Sequence, residues 1–141
     1  MKILIAVDGS AHTQKALDYL AKHRKMFVDG NELLVVHACV GVPGHVTRHL
    51  SKEIVTDYYA EEAAKVLEPV KATLAGLGIT DFKVDQRHGH AAEEILKAAA
   101  AFNAELIVMG THGHGLFGRA LMGSVATKVV SETDISVLLV Q

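Results

Sequence analysis

The chain has one cysteine, Cys39. A lone thiol cannot close an internal disulfide, which fits a reducing compartment and leaves Cys39 to serve as a small, buried apolar residue. Charge of one sign is also lacking. The formal net charge is −2, which gives no electrostatic reason to expect a nucleic-acid partner. No apolar run approaches the roughly 20 residues that a membrane span needs. The run that follows Lys2 is cut at Asp8 after five residues, too short for the apolar region of a secretion signal. These absences predict a soluble, cytoplasmic protein. Half of the residues are apolar, which excludes disorder, and 141 residues suffice to bury the core of one domain spanning residues 1–141.

What is present alternates. Ile3 to Val7 is a continuous apolar run of branched residues, the mark of a strand buried on both faces. Ser10 is placed to cap a helix running to about Val28, and Asp29-Gly30-Asn31 makes a turn. Leu33 to Val40 reads as the second strand, with a loop over 41–49 opened by Gly41 and Pro43. Val55, Tyr59, Ala63, Val66, Val70, Leu74 and Leu77 then fall at helical spacing. They predict a helix from about Leu50 to Leu77, either kinked at Pro69 or restarted near Glu68. Phe82 to Gln86 is the most polar strand and belongs at an edge. Ala91 to Phe102 is a helix, Glu105 to Met109 a strand, and a last helix from Gly123-Ser124 leads to the strand Ile135 to Val140. The fold class is therefore α/β: an open parallel sheet of five strands with helices on both faces. The doubly wound order 3-2-1-4-5 makes strands one and four neighbours at the topological switch point, where such sheets place ligands. The exits of those strands carry Asp8-Gly9-Ser10 and Gly110 onward.

The stretch from Gly110 to Ser124 reads GTHGHGLFGRALMGS, with five glycines directly after an apolar strand. A strand, a glycine-rich loop and a helix start form a natural phosphate site. Glycine permits positive φ and close approach of a ligand, and the helix N-terminus supplies unpaired donors. Gly113-x-Gly115-x-x-Gly118 is formally a dinucleotide fingerprint. That motif needs an acid at the end of the next strand, yet Ile135 to Val140 ends without one and Asp134 precedes it. A P-loop is excluded because no Gly-Lys pair is followed by Ser or Thr.

The spacing Gly110-x2-Gly113-x9-Gly123-Ser124 resembles the signature of the ATP-binding universal stress proteins. Lys2 to Ser10 looks like that family's first strand and acidic turn, Gly89 to Ile95 like the start of its third helix, and Leu106 to Gly113 like its fourth strand and loop. The segment between residues 41 and 80 is the least diagnostic. The resemblance implies an adenine nucleotide: ATP, with AMP or ADP as variants, and Mg²⁺ carried by the phosphates. It places Asp8 at the nucleoside, Val7 and Ala38 at adenine, Met109 and Gly110 at the ribose, and Gly113, Gly123, Ser124 and Val125 at the phosphates. His114 departs from the arginine common at its place in the family, which implies a modest affinity for triphosphate.

Each assignment has a plainer counterpart. Asp8 also suits a turn or cap after a strand, and Gly123-Ser124 suits a simple helix cap; the glycine loop opposite Asp8 favours ligand contact. His88 and His90, with His112 and His114, form two His-x-His pairs that would suit zinc. No cysteine or carboxylate joins them at ligand spacing, which favours ordinary loop histidines and no metal site. No nucleophile elbow or paired base accompanies Ser10 or Ser124, and Cys39 has no nucleophile context. A phosphorylated receiver domain would need clustered acids at the first strand and a lysine near the last. The reading is a nucleotide-responsive cytoplasmic regulator of the stress response rather than an enzyme, with no catalytic residues. Its rival is a slow ATPase or phosphotransferase in which Asp8 positions Mg²⁺ or water. An empty-pocket scaffold is disfavoured by the five glycines. Ile135 to Val140 has neither charge nor proline, and a bare edge of this kind predicts a homodimer through the last strand. The family resemblance implies the same surface, although Ser136 stands where proline often precedes that strand.

Overall fold

The computed structural model describes residues 1–39, 41, 44–111 and 123–141. Its elements are β1 (Lys2–Ala6), α1 (Ala11–Lys22), α2 (Arg24–Phe27), β2 (Glu32–Cys39), α3 (Gly44–Thr47), α4 (Lys52–Gly76), β3 (Lys83–His88), α5 (Ala91–Phe102), β4 (Leu106–Gly110), α6 (Ser124–Glu132) and β5 (Ser136–Val140). The five strands form one parallel sheet in the order β3-β2-β1-β4-β5. This is the expected doubly wound order.

β1 is apolar at every position after Lys2 because it sits centrally and buries both faces. Ile3, Ile5 and Val7 pack with Leu17, Leu20, Val70 and Leu74 on the α1 and α4 side. Leu4 and Ala6 pack with Ile95, Ala99, Ile107, Met109 and Val129 on the α5 and α6 side. Alternate residues of one strand thus feed two cores. Each fully buried Leu or Ile contributes about 1.5–3 kcal/mol.

Several boundaries differ from expectation, for physical reasons. The first helix stops at Lys22 because His23 leaves the helical region (φ −110°, ψ 42°). The break lets the Tyr19, His23 and Phe27 rings gather at 4.5 to 6.5 Å. It also aims Arg24 at the Leu77 and Gly78 carbonyls, 3.2 and 2.7 Å away. No local signal announces a contact over fifty residues away. The expected loop over 41–49 contains the one-turn helix α3, in which Thr47 Oγ1 donates to the Gly44 carbonyl at 3.0 Å. Pro69 neither ends α4 nor divides it into two helices. Its ring is exposed, and the Lys65 carbonyl it deprives of a donor belongs to an exposed residue, where water can replace the bond. The buried stripe of α4 is Ala63, Leu67, Val70 and Leu74; Val55, Tyr59 and Val66 are only half-buried.

The helix closes as the glycines predict. Gly78 adopts φ +75°, its N–H donates to Ala75 and that of Ile79 to Leu74, a Schellman closure with Leu74 and Ile79 packed in one core. β3 runs two residues further than expected, so that His88 pairs with Cys39. Cys39 itself is half-buried at the strand end rather than fully buried. What burial it has still disfavours the thiolate and pushes its pKa up.

Candidate functional site

The crevice forms where β1 and β4 diverge. After β1 the chain turns through Asp8, Gly9 and Ser10, with Gly9 at φ +78°. Asp8 Oδ1 accepts from Ser10 N (2.9 Å), Ser10 Oγ (2.6 Å) and Thr13 Oγ1 (2.8 Å). Thr13 Oγ1 in turn accepts from Asp8 N at 2.9 Å. Ser10 is the N-cap of α1, and its Oγ accepts from His12 N at 3.2 Å. The plain reading of Asp8 as a turn residue therefore holds for Oδ1, which braces the capping serine from below.

The opposite wall is the end of β4. A Cβ on Gly110 would lie 2.5 Å from the His12 carbonyl oxygen and 2.7 Å from its carbon. Backbone meets backbone here, so no side-chain rotation can relieve the contact. Glycine is required for α1 to seat its first turn against β4. The third side is the start of α6. Gly123, its N-cap, has φ −57° and ψ 151°, and no side chain caps the helix. The first intrahelical bond is donated by Thr127 N to the Gly123 carbonyl at 2.9 Å. The amides of residues 124–126 consequently have no partner within the helix, and no acidic residue stands in its first turn to neutralise its partial positive charge.

Positive φ was one of two reasons for glycine in this motif. Neither Gly110 nor Gly123 adopts it, so at these positions close approach is what glycine supplies.

A cavity of about 110 Å³ lies between these walls. Val7, Asp8, Ala38, Met109, Gly110, Gly123, Ser124 and Val125 all line it; the ninth predicted residue, Gly113, lies outside the described residues, as do His112, His114 and Arg119. Ala6, His12, Thr13, Ala91, Ile95 and Ala126 line it as well and were not singled out from the sequence. A usable signal existed for some of them. Ala6, Ala38, Ala91 and Ala126 are small where neighbouring core positions carry Val, Ile or Leu, and a hole must be walled by small residues. Ala91 and Ile95 sit one turn apart on α5. Among the described residues the only ionisable lining groups are Asp8 and His12, and most of the other lining residues are apolar.

The start of α5 is held in place by charge. Arg87 bridges Asp85 at 3.0 Å and Glu94 at 3.2 Å, and these carboxylates push its pKa further up. Among the described residues no group of three or more His, Cys, Asp or Glu could hold an ion; of the two histidine pairs, only His88 and His90 lie within them. His88 instead stacks on Tyr59 at 4.0 Å and 7°, and His90 is the N-cap of α5. No helix among the described residues is long and apolar enough to cross a membrane.

The profile of the universal stress protein family matches residues 1–141. A universal stress protein of Thermus aquaticus, encoded 3′ of a QAH/OAS sulfhydrylase region, is 40% identical over 139 residues, covering 99% of this chain and 97% of that one. Universal stress protein YxiE of Bacillus subtilis (strain 168) is 31% identical over 147 residues, covering 99% and 98%. Among solved structures, the universal stress protein from Archaeoglobus fulgidus in complex with dAMP superposes with a TM-score of 0.69 at 22% identity, covering 100% of this chain and 98% of that one. A universal stress protein in complex with cAMP gives 0.68 at 20%, covering 100% and 96%. The two solved structures share the fold. The chain belongs to the universal stress protein family.

Proposed function

We propose that this chain binds an adenine nucleotide in the β1–β4 crevice and acts as a nucleotide-responsive regulator rather than an enzyme. The observation that carries this reading is the convergence of Asp8, Ala38, Met109, Gly110 and the uncapped start of α6 on one largely apolar cavity. An apolar slot suits a purine, and unpaired amides at a helix start suit a phosphate. Two proteins of the same fold held with dAMP and cAMP support the ligand class. ATP is the ligand we assign on the glycine spacing. Mg²⁺ fits only as a phosphate-borne ion, because the protein offers one carboxylate, Asp8, and no three-residue ligand group among the described residues. Asp8 Oδ1 is committed to three donors, which favours a positioning role over a general base. Turnover is therefore expected below about 1 per second, the low end of ordinary enzymes. A bound nucleotide would stabilise one arrangement of the loops after β2 and β4, which a cytoplasmic partner reads. Mass spectrometry of small molecules released from freshly purified protein tests the assignment. Recovery of stoichiometric AMP, ADP or ATP is expected; a ligand without adenine would overturn it.

The same reading includes a homodimer through β5. β5 is a sheet edge. The Val140 carbonyl accepts from Thr111 N at 3.1 Å and so faces β4, and alternation turns the N–H groups of Val137 and Leu139 outward. Val137 and Leu139 pack their side chains on the α5–α6 core and Leu138 on the other, so lysine at these positions would also damage the fold. Val137→Pro is the cleaner test: it removes an outward donor without a ladder bond. It should shift sedimentation from dimer to monomer, and a wild type that is monomeric at micromolar concentration would refute the dimer.

A further inference from the structure

α4 has two unlike halves. From Glu61 to Gly76 its exposed residues are charged, small or proline. None of residues 52–62 is buried. Tyr59 stacks on His88, the last residue of β3, so the turns before it extend past the strand ends. There large apolar side chains stand exposed among the charged ones. Ile54 and Tyr58, one turn apart, are 54% and 44% exposed, and Val46 and Leu50 just upstream are 38% and 40% exposed. Four of the seven exposed large hydrophobics named for the described residues thus fall within residues 46–58. Scattered apolar side chains need no explanation, but a cluster on one projecting segment does.

Charge is polarised along the same segment. His45, Arg48, His49 and Lys52 lie at one end, and Glu53, Asp57 and Glu61 follow at the other. All are exposed, and Arg48, Glu53 and Asp57 enter no ion pair among the described residues. A surface with a basic end and an acidic end, and apolar side chains along both, is complementary to itself when turned by a two-fold axis.

We infer that residues 45–61 form a self-complementary interface that takes a second copy of this chain, separate from the β5 edge. Val46, Leu50, Ile54 and Tyr58 of one copy pack on those of the other, and Arg48 of each copy faces the acidic turns of the other. The surface is small, so the association belongs at the low end of interface sizes and is read at chain concentrations on the order of 100 µM.

Sedimentation velocity on the full chain tests this. Ile54→Glu with Tyr58→Glu should remove one association step, halving the largest species. Arg48→Glu should weaken that step at least tenfold, and Arg48→Glu combined with Asp57→Arg should restore it. Both charge changes lie on the surface and leave the core untouched, so the swap remains informative if the double glutamate variant folds poorly. An unchanged mass distribution for Arg48→Glu, or no recovery in the swap, would overturn the inference. So would co-sedimentation of the wild type with anionic vesicles in place of self-association.

Discussion

The two ends of the sheet are built on opposite plans. At the N-terminal end of the strands, long-range bonds tie the chain shut. The Met1 ammonium donates to Asn31 Oδ1 at 3.0 Å, Lys2 N to Glu105 Oε2 at 2.8 Å, and Glu105 N to the Lys2 carbonyl at 2.8 Å. Arg24 clamps the end of α4 through two carbonyls. At the C-terminal end the turn after β1 is held locally: Asp8, Ser10 and Thr13 bind one another within five residues. The wall across the crevice offers glycine and a helix start without a side-chain cap. One end is closed by contacts that stabilise the fold. The other is kept rigid yet open, which is the arrangement a binding site in an open α/β sheet requires.

Substitutions at the two ends should separate these roles. The largest effect is expected from Gly110→Ala, whose new methyl would strike the His12 backbone. Overpacking of this kind costs about 3 kcal/mol. Chemical denaturation should show that loss together with loss of nucleotide binding; unchanged stability would mean that α1 does not rest on β4 as described.

Gly123→Val comes next. Its φ and ψ suit any residue, so the fold should survive with a cap penalty of about 1 kcal/mol. A branched side chain at the phosphate should lower nucleotide affinity on the order of 100-fold, about 2.7 kcal/mol. Wild-type affinity by calorimetry would remove the phosphate from the α6 start.

Arg24→Ala, at the closed end, should cost about 1 kcal/mol of stability, since water can reach the two freed carbonyls. Nucleotide affinity should not move. A drop in affinity would show that the two ends are coupled.

The smallest expected change is Gly76→Ala. It is exposed, has nothing within 4 Å of a new Cβ, and lies in the last turn of α4, so it should add about 0.5 kcal/mol. Thermal unfolding that shows destabilisation would contradict the placement of that helix end.

Much of this was legible in the sequence because the signals were local. The apolar run after Lys2 and the cap at Ser10 each encode their own geometry. Alternation of strand and helix led to the strand order, which in turn brought Asp8 and Gly110 to one crevice. The break at His23 and the turn at α3 were not legible, and the choice between a helix through Pro69 and one restarted near Glu68 was left open. Each depends on partners far away in sequence or on which side of a helix meets water.

The sequence by itself determined the five strands, their order and the family, since periodicity, caps and the glycine spacing are properties of neighbours along the chain. The family resemblance supplied eight residues now found around one cavity, and the switch point by itself brought Asp8 and Gly110 together there. Only the tertiary structure decided why Gly110 must be glycine and which alanines hollow out the crevice. Those depend on distances between segments a hundred residues apart, and no local pattern carries such a distance.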